Sequence, residues 1–235
     1  MEGWRWEDWI PHLEELRVRL IRAIIVYLLA VAIMWFFHSQ IMDFISKPVG
    51  ELYLFNVQDP FFVRLKVAFM AALFFTFPYF LWEIWRFVEP ALYPHEKRAA
   101  ALVLLSALIL FYGGALMSIF VIIPRAVKFL LSFSEGFTTM VNANQYLNFV
   151  FWSTVIFGVV FELPVAVGIL AKLGIVRSRL LQRRRREIIV AIVILTAVIS
   201  PTVDMFSLLL MSLPLIALFE VSIWVAKTLE PKEKG

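Results

Sequence analysis

Glu162 is the single carboxylate in FGVVFELPVAVGIL, residues 157–170, with apolar side chains on both sides. A charged carboxylate at the centre of a membrane helix costs about 2.5–3.5 kcal/mol on insertion scales, so the group must be neutral, paired, or turned to a wet cavity. Pro164 follows two residues later and cannot donate to the carbonyl of Val160, which predicts a kink beside the acid. Two readings stand: a protonated side chain bonded to a neighbouring helix, or an intramembrane functional acid. More acids accompany basic side chains. In HLEELRVRLI, residues 12–21, Glu15 and Arg19 are four apart, the favourable order for an ion pair along a helix face. A solvated face and a ligand site are both compatible with that spacing. Glu96 in ALYPHEKR raises the same choice, with Lys97 and Arg98 beside it, while the run Arg183–Arg186 reads as an orientation signal that also suits anionic lipid.

The residues argue against an enzyme. His12, His38 and His95 are loop or interface positions, and no HExxH pattern exists to bind zinc. The predicted spans contain neither a serine–histidine pair nor a pair of aspartates, and no GxxxxGK[ST] sequence occurs. With no cysteine, disulfides and thiolate chemistry are excluded. No catalytic residue, metal site or cofactor is expected.

The elements that must carry these acids are membrane helices. Of 235 residues, 62% are hydrophobic, and the mean hydropathy is +0.85. An ordinary soluble chain is about half apolar, and several runs here reach the roughly 18–20 residues that cross a bilayer core. The expected fold is all-α: a single integral membrane domain over 1–235, with six transmembrane helices at about 20–37, 67–85, 99–123, 148–171, 188–203 and 205–226. The third is expected to end at Pro124, and SPTVD at 200–204 supplies the last turn. AVA at 30–32 lies inside a retained first span rather than at a cleavage site. The last two spans read as short, a pair that would thin or tilt the surrounding membrane. Residues 1–19 read as an interfacial amphipathic helix, with Ile10, Leu13 and Leu16 on one face and Trp4, Trp6 and Trp9 at the headgroup boundary. Lys and Arg concentrate at both termini and in the loops after spans two and four, which places both termini in the cytoplasm. In such a protein the net charge of +4 and pI of about 9.4 report orientation, not nucleic-acid binding.

Several stretches resemble the TatC family, the multispanning subunit of the twin-arginine protein translocase. They are HLEELRVRLI, DPFFVRLKVAF, FPYFLWEIWRFVEPALYPHEKR, LFYGGALMSIFVIIP, FGVVFELPVA and SPTVDMFSLLLMSLPLIALFE, in order along nearly the whole chain. The resemblance implies a receptor in a bacterial-type cytoplasmic membrane that binds twin-arginine signal peptides of folded cargo proteins. It implies recruitment of TatA and TatB type single-span subunits, self-association in a larger receptor complex, and export driven by the protonmotive force. Carried over by motif, Glu15 and Glu96 receive the arginine pair, Leu16, Arg17 and Arg19 complete the N-terminal part of the site, and Phe87 lies in the same motif as Glu96. Pro48 and Asp204 match further family positions, and Glu162 matches an intramembrane acid that meets a polar residue on a partner helix. On this reading the small residues Gly158, Ala166 and Gly168 let that helix approach. Two carboxylates at a partly desolvated rim can each accept a guanidinium fork, a geometry lysine cannot reproduce. The rival readings are a proton-coupled secondary transporter using Glu162 and, below it, a lipid-embedded enzyme. Transporters of that kind show broken helices in repeated halves, and no internal repeat is evident.

Overall fold

A computed structural model describes residues 10–91, 93, 97–134, 139–200 and 204–230. Its described elements are helical apart from a two-residue parallel ribbon, β1 (Leu52–Tyr53) with β2 (Val141–Asn142), in the register Leu52↔Val141. The helices are α1 (Ile10–Phe36), α2 (His38–Ser46), α3 (Asp59–Val88), α4 (Lys97–Met117), α5 (Ile123–Leu131), α6 (Ala143–Phe161), α7 (Leu163–Lys172), α8 (Ser178–Arg183), α9 (Arg185–Ile199) and α10 (Met205–Leu229). A multi-pass membrane protein follows from their length and surface. Five stretches among the described residues are long and apolar enough to cross a bilayer: Glu14–Trp35, Asp59–Phe87, Ala100–Leu131, Ala143–Lys172 and Met205–Leu229. Large apolar side chains such as Leu28, Leu29, Ile33, Leu105 and Ile109 are more than half exposed, as lipid-facing positions are.

The fifth expected span, 188–203, is shorter in the structure than a bilayer core. α9 has 15 residues, about 22 Å at 1.5 Å per residue, and falls short of a bilayer core of roughly 30 Å. It starts at Arg185 and stops at Ile199; residues 201–203, placed by the sequence in this span, lie outside the described residues. Its neighbour α10 is 25 residues long, so the short element is α9 alone. The third span does not end at Pro124 either. Five residues of π-helix, Ser118–Ile122, join α4 to α5, and Pro124 falls in the first turn of α5, directly after this wider turn, whose last bond runs from the Ile123 N–H to the Ser118 carbonyl. The helical path continues to Leu131. The first span begins in a helix already running at Ile10, while Trp4, Trp6 and Trp9 lie outside the described residues.

The chain divides into two compact units, residues 1–43 with 60–108, and residues 44–59 with 109–235. In the first, α1 packs on α3 through small buried residues, Ala30 and Val31 against Ala68 and Ala72, with Tyr27 and Trp35 alongside. Tyr27 donates its hydroxyl to the Phe69 carbonyl at 3.1 Å. In the second, fully buried Leu147, Phe157, Ile122, Met211 and Leu215 make the core. α7 lies along α10, with Val167, Ala171 and Ala226 buried. α7 ends at a Schellman turn: Gly174, at φ 72°, donates to Ala171, and Ile175 donates to Leu170.

Candidate functional site

The acids identified from sequence fall in both units, and each takes its character from its neighbours. In the first unit, helical spacing puts Glu15 and Arg19 on one stripe of α1, and Tyr79, Glu83 and Arg86 recur along α3. Arg19 joins the helices. Its Nε donates to Glu15 Oε1 at 3.0 Å, Nη2 donates to the same oxygen, and Nη1 donates to Glu83 Oε2 at 3.2 Å. Nη2 also reaches the Arg86 carbonyl at 3.1 Å, and the Tyr79 hydroxyl donates to Glu83 Oε1 at 2.7 Å. The side chains of Arg19 and Glu83 are 15% and 7% exposed, against 39% for Glu15. The guanidinium is therefore anchored inward on Glu83 and outward on a carboxylate that solvent reaches.

Beside this cluster lies an apolar groove of about 350 Å³. Leu16, Leu20, Ile24 and Tyr27 of α1 and Phe80, Ile84 and Phe87 of α3 line it, with Arg19 and Glu83 among them. Leu16, Arg19 and Phe87, all identified from sequence, thus line the same groove, the first two from α1 and the third from α3. Arg17 is exposed and lines no part of it. Glu96 lies outside the described residues. Sequence reading missed Glu83, although the signal was present: it is a carboxylate inside a predicted span, the same feature that marked Glu162.

In the second unit Glu162 stands at the break between α6 and α7. Its backbone N–H still reaches the Val159 carbonyl, and its own carbonyl accepts from Ala166 at 2.9 Å across the expected Pro164 kink. The residue is half-buried, and its Oε1 has no hydrogen-bond partner among the described residues. The small residues near it do not all serve an incoming helix. A Cβ added at Gly158 would sit 2.7 Å from the Phe111 ring of α4, and one at Gly168 would sit 3.0 Å from Val225 of α10. Both glycines are used by internal packing, which leaves Ala166 exposed.

Pro48 and Asp204 have local surroundings that explain their residue types. Pro48 lines a hollow of about 170 Å³ with Phe44, Ile119, Pro124 and Tyr146. The Tyr146 hydroxyl donates to the Ile45 carbonyl at 2.7 Å. Nearby, buried Asp59 accepts from the backbone N–H groups of Phe55 and Asn56 and from Asn144 Nδ2 at 2.7 Å, which ties the 52–59 turn to the start of α6. Asp204 caps α10, accepting from the Ser207 N–H at 2.7 Å.

Comparison with known proteins gives one consistent result. A family model described as "Sec-independent protein translocase protein (TatC)" matches residues 11–214. The chain is 35% identical over 234 residues to the Sec-independent protein translocase protein TatC of Aquifex aeolicus, covering 95% of this chain and 96% of that one. It is 33% identical over 226 residues to the protein of the same name from Escherichia coli K12, covering 93% and 87%. A crystal structure of the twin arginine translocase receptor TatC superposes with a TM-score of 0.81 at 35% identity, covering 93% of this chain and 99% of that chain.

Proposed function

The chain belongs to the TatC family of Sec-independent protein translocase proteins, non-enzymatic multi-pass membrane subunits, and on that premise we propose that it is the receptor that binds twin-arginine signal peptides. The observation that carries this reading is the juxtaposition of Glu15, partly exposed and charged, with an apolar groove opening directly beside it. A targeting peptide with an arginine pair ahead of an apolar stretch has the complementary order. Guanidinium binds at the carboxylates, Glu15 and Glu96, and the apolar stretch lies along Leu20, Ile24 and Ile84. A charge-assisted hydrogen bond contributes about 1.5–3 kcal/mol, and a planar fork can make two to one carboxylate. Lysine offers no such fork, so the arrangement selects arginine.

Glu162 supports recruitment of TatA and TatB type single-span subunits. A half-buried carboxyl with an unpartnered oxygen gains a bond when another helix brings a polar side chain to it, and exposed Ala166 leaves room one turn away. The subunit sits in a bacterial-type cytoplasmic membrane with both termini cytoplasmic, self-associates within a larger receptor complex, and works under the protonmotive force. No repeated halves support the transporter reading.

Photo-crosslinking tests the receptor site. A peptide with two arginines and a photoreactive residue in its apolar stretch labels α1 and α3 of the wild-type protein, and labelling falls sharply in Glu15→Ala and Glu96→Ala. A two-lysine version labels weakly. Equal labelling throughout contradicts the site.

A further inference from the structure

The carboxylate offered to an incoming arginine is already held by one of the chain's own. Arg19 places two nitrogens on Glu15 Oε1, so a ligand guanidinium that takes Glu15 must displace it. Displacement would strand a cation that is only 15% exposed, unless a second anion keeps it. Glu83 is placed to do so. It is 7% exposed, it accepts Nη1 of Arg19, and the Tyr79 hydroxyl fixes its other oxygen. The Arg86 carbonyl is a further acceptor that survives the loss of Glu15.

We propose that Arg19 is a built-in competitor for the receptor carboxylate and that Glu83 is the positioning residue that retains it while a ligand arginine occupies Glu15. Within the bonded set of Glu15, Glu83 and Arg19 the net charge is one negative, and one incoming guanidinium neutralises it; Arg22 and Arg86 stand near Glu83 and are the same in every variant compared. Without the Glu83 charge, Glu15 and Arg19 already balance, and a ligand must break that pair with nothing to hold Arg19 afterwards. An empty site is thereby kept from binding stray cations, because a lone ammonium cannot match the two contacts it would replace.

This proposal rests on the receptor reading, and the experiment separates the two. Affinity of a peptide carrying an arginine pair and an apolar stretch is measured for the full chain in nanodiscs. The proteins are wild type, Glu15→Gln, Glu83→Gln, Tyr79→Phe, and the double variant Glu83→Gln with Arg19→Gln. Glu83→Gln is expected to bind about ten-fold more weakly, the size of one charged hydrogen bond. Removing the competitor as well restores the net negative charge, so the double variant returns to within about two-fold of wild type, the scatter of such differences. Melting temperatures of the same variants separate the two roles: a merely structural Glu83 lowers stability and affinity together, whereas a positioning Glu83 changes affinity in variants that melt like wild type. Tyr79→Phe, which keeps the fold and removes only the donated hydroxyl, weakens binding by a smaller factor, and it serves if Glu83→Gln does not fold. A double variant as weak as the single, or Glu83→Gln and Tyr79→Phe both at wild-type affinity while Glu15→Gln is weak, overturns the proposal alone. Wild-type affinity in Glu15→Gln overturns the receptor reading together with it.

Discussion

Glu15, Glu83, Glu162 and Glu230 are the same residue type in four surroundings, and those surroundings assign their work. Glu15 is reachable and shares its oxygen with Arg19, so it can exchange partners; Glu83 is enclosed and cannot. Of the four, only Glu162 has a buried oxygen with no partner among the described residues. Glu230 lies beyond the last span and accepts from the Ser178 hydroxyl at 2.7 Å and the Ser178 N–H at 3.3 Å. These bonds, led by the hydroxyl, hold its carboxyl below the usual carboxylate range. A carboxylate with a lowered folded pKa contributes stability that is complete above its unfolded pKa and is lost as pH falls through the folded one. Ser178→Ala should therefore unfold at a lower temperature than wild type at pH 7, with the two melting curves converging as the pH drops below the ordinary carboxylate range. A constant gap across pH would assign the effect to packing. At this scale Glu15, its i+4 partner Arg19 and the isolation of Glu162 were legible from spacing alone. Glu83 was legible only as a carboxylate inside a span; its partner was not, because nothing in WEIWRF announces Arg19 until the fold brings it across from another helix.

Among the elements, close approach rather than hydrophobicity decides the joints. Gly113 and Gly114 are adjacent in α4, yet a Cβ at Gly113 meets nothing within 4 Å, whereas one at Gly114 would lie 2.5 Å from the Phe157 carbonyl oxygen of α6. Gly114→Ala must push two helix backbones apart and should cost about 1–3 kcal/mol. Gly113→Ala removes a mid-helix glycine without a clash and should stabilise by about 0.5–1 kcal/mol. Thermal unfolding of both in detergent checks this pair, and equal shifts would contradict it. The α6–α7 break was readable from Pro164 because a proline two residues past an acid leaves few local outcomes. The passage of a helix through Pro124 was not: it depends on the π-turn at Ser118–Ile122, a backbone adjustment that depends on the packing of α4 to α6 and leaves no residue signature. Likewise SPTVD announced a turn and Asp204 its cap, but the length of α9 followed from where Arg184 starts it. Asp204→Ala should cost α10 about 1 kcal/mol, the usual worth of a helix cap.

For the whole molecule, the family, the membrane class and the helical fold were legible in composition and motif order, and the comparisons agree. The groove was not legible, because apolar residues that line it, such as Ile24 and Ile84, look in sequence like any lipid-facing side chain. Its position next to Glu15 gives the receptor proposal its content, and Glu162 in the second unit gives partner recruitment a separate address. Glu162→Ala should weaken docking of a single-span partner by about 0.6–2 kcal/mol in a co-purification titration while leaving peptide binding intact; joint loss would mean a folding role. As a receptor of the kind proposed, the protein must recognise a guanidinium fork at Glu15 and not charge alone. The most direct test is the ratio of affinities for two-arginine and two-lysine peptides, measured on wild type and on Glu15→Gln. The wild type is expected to prefer arginine by about ten-fold or more, the worth of one charged hydrogen bond, and the variant to show a ratio near unity. An arginine preference that survives intact in Glu15→Gln would contradict that recognition.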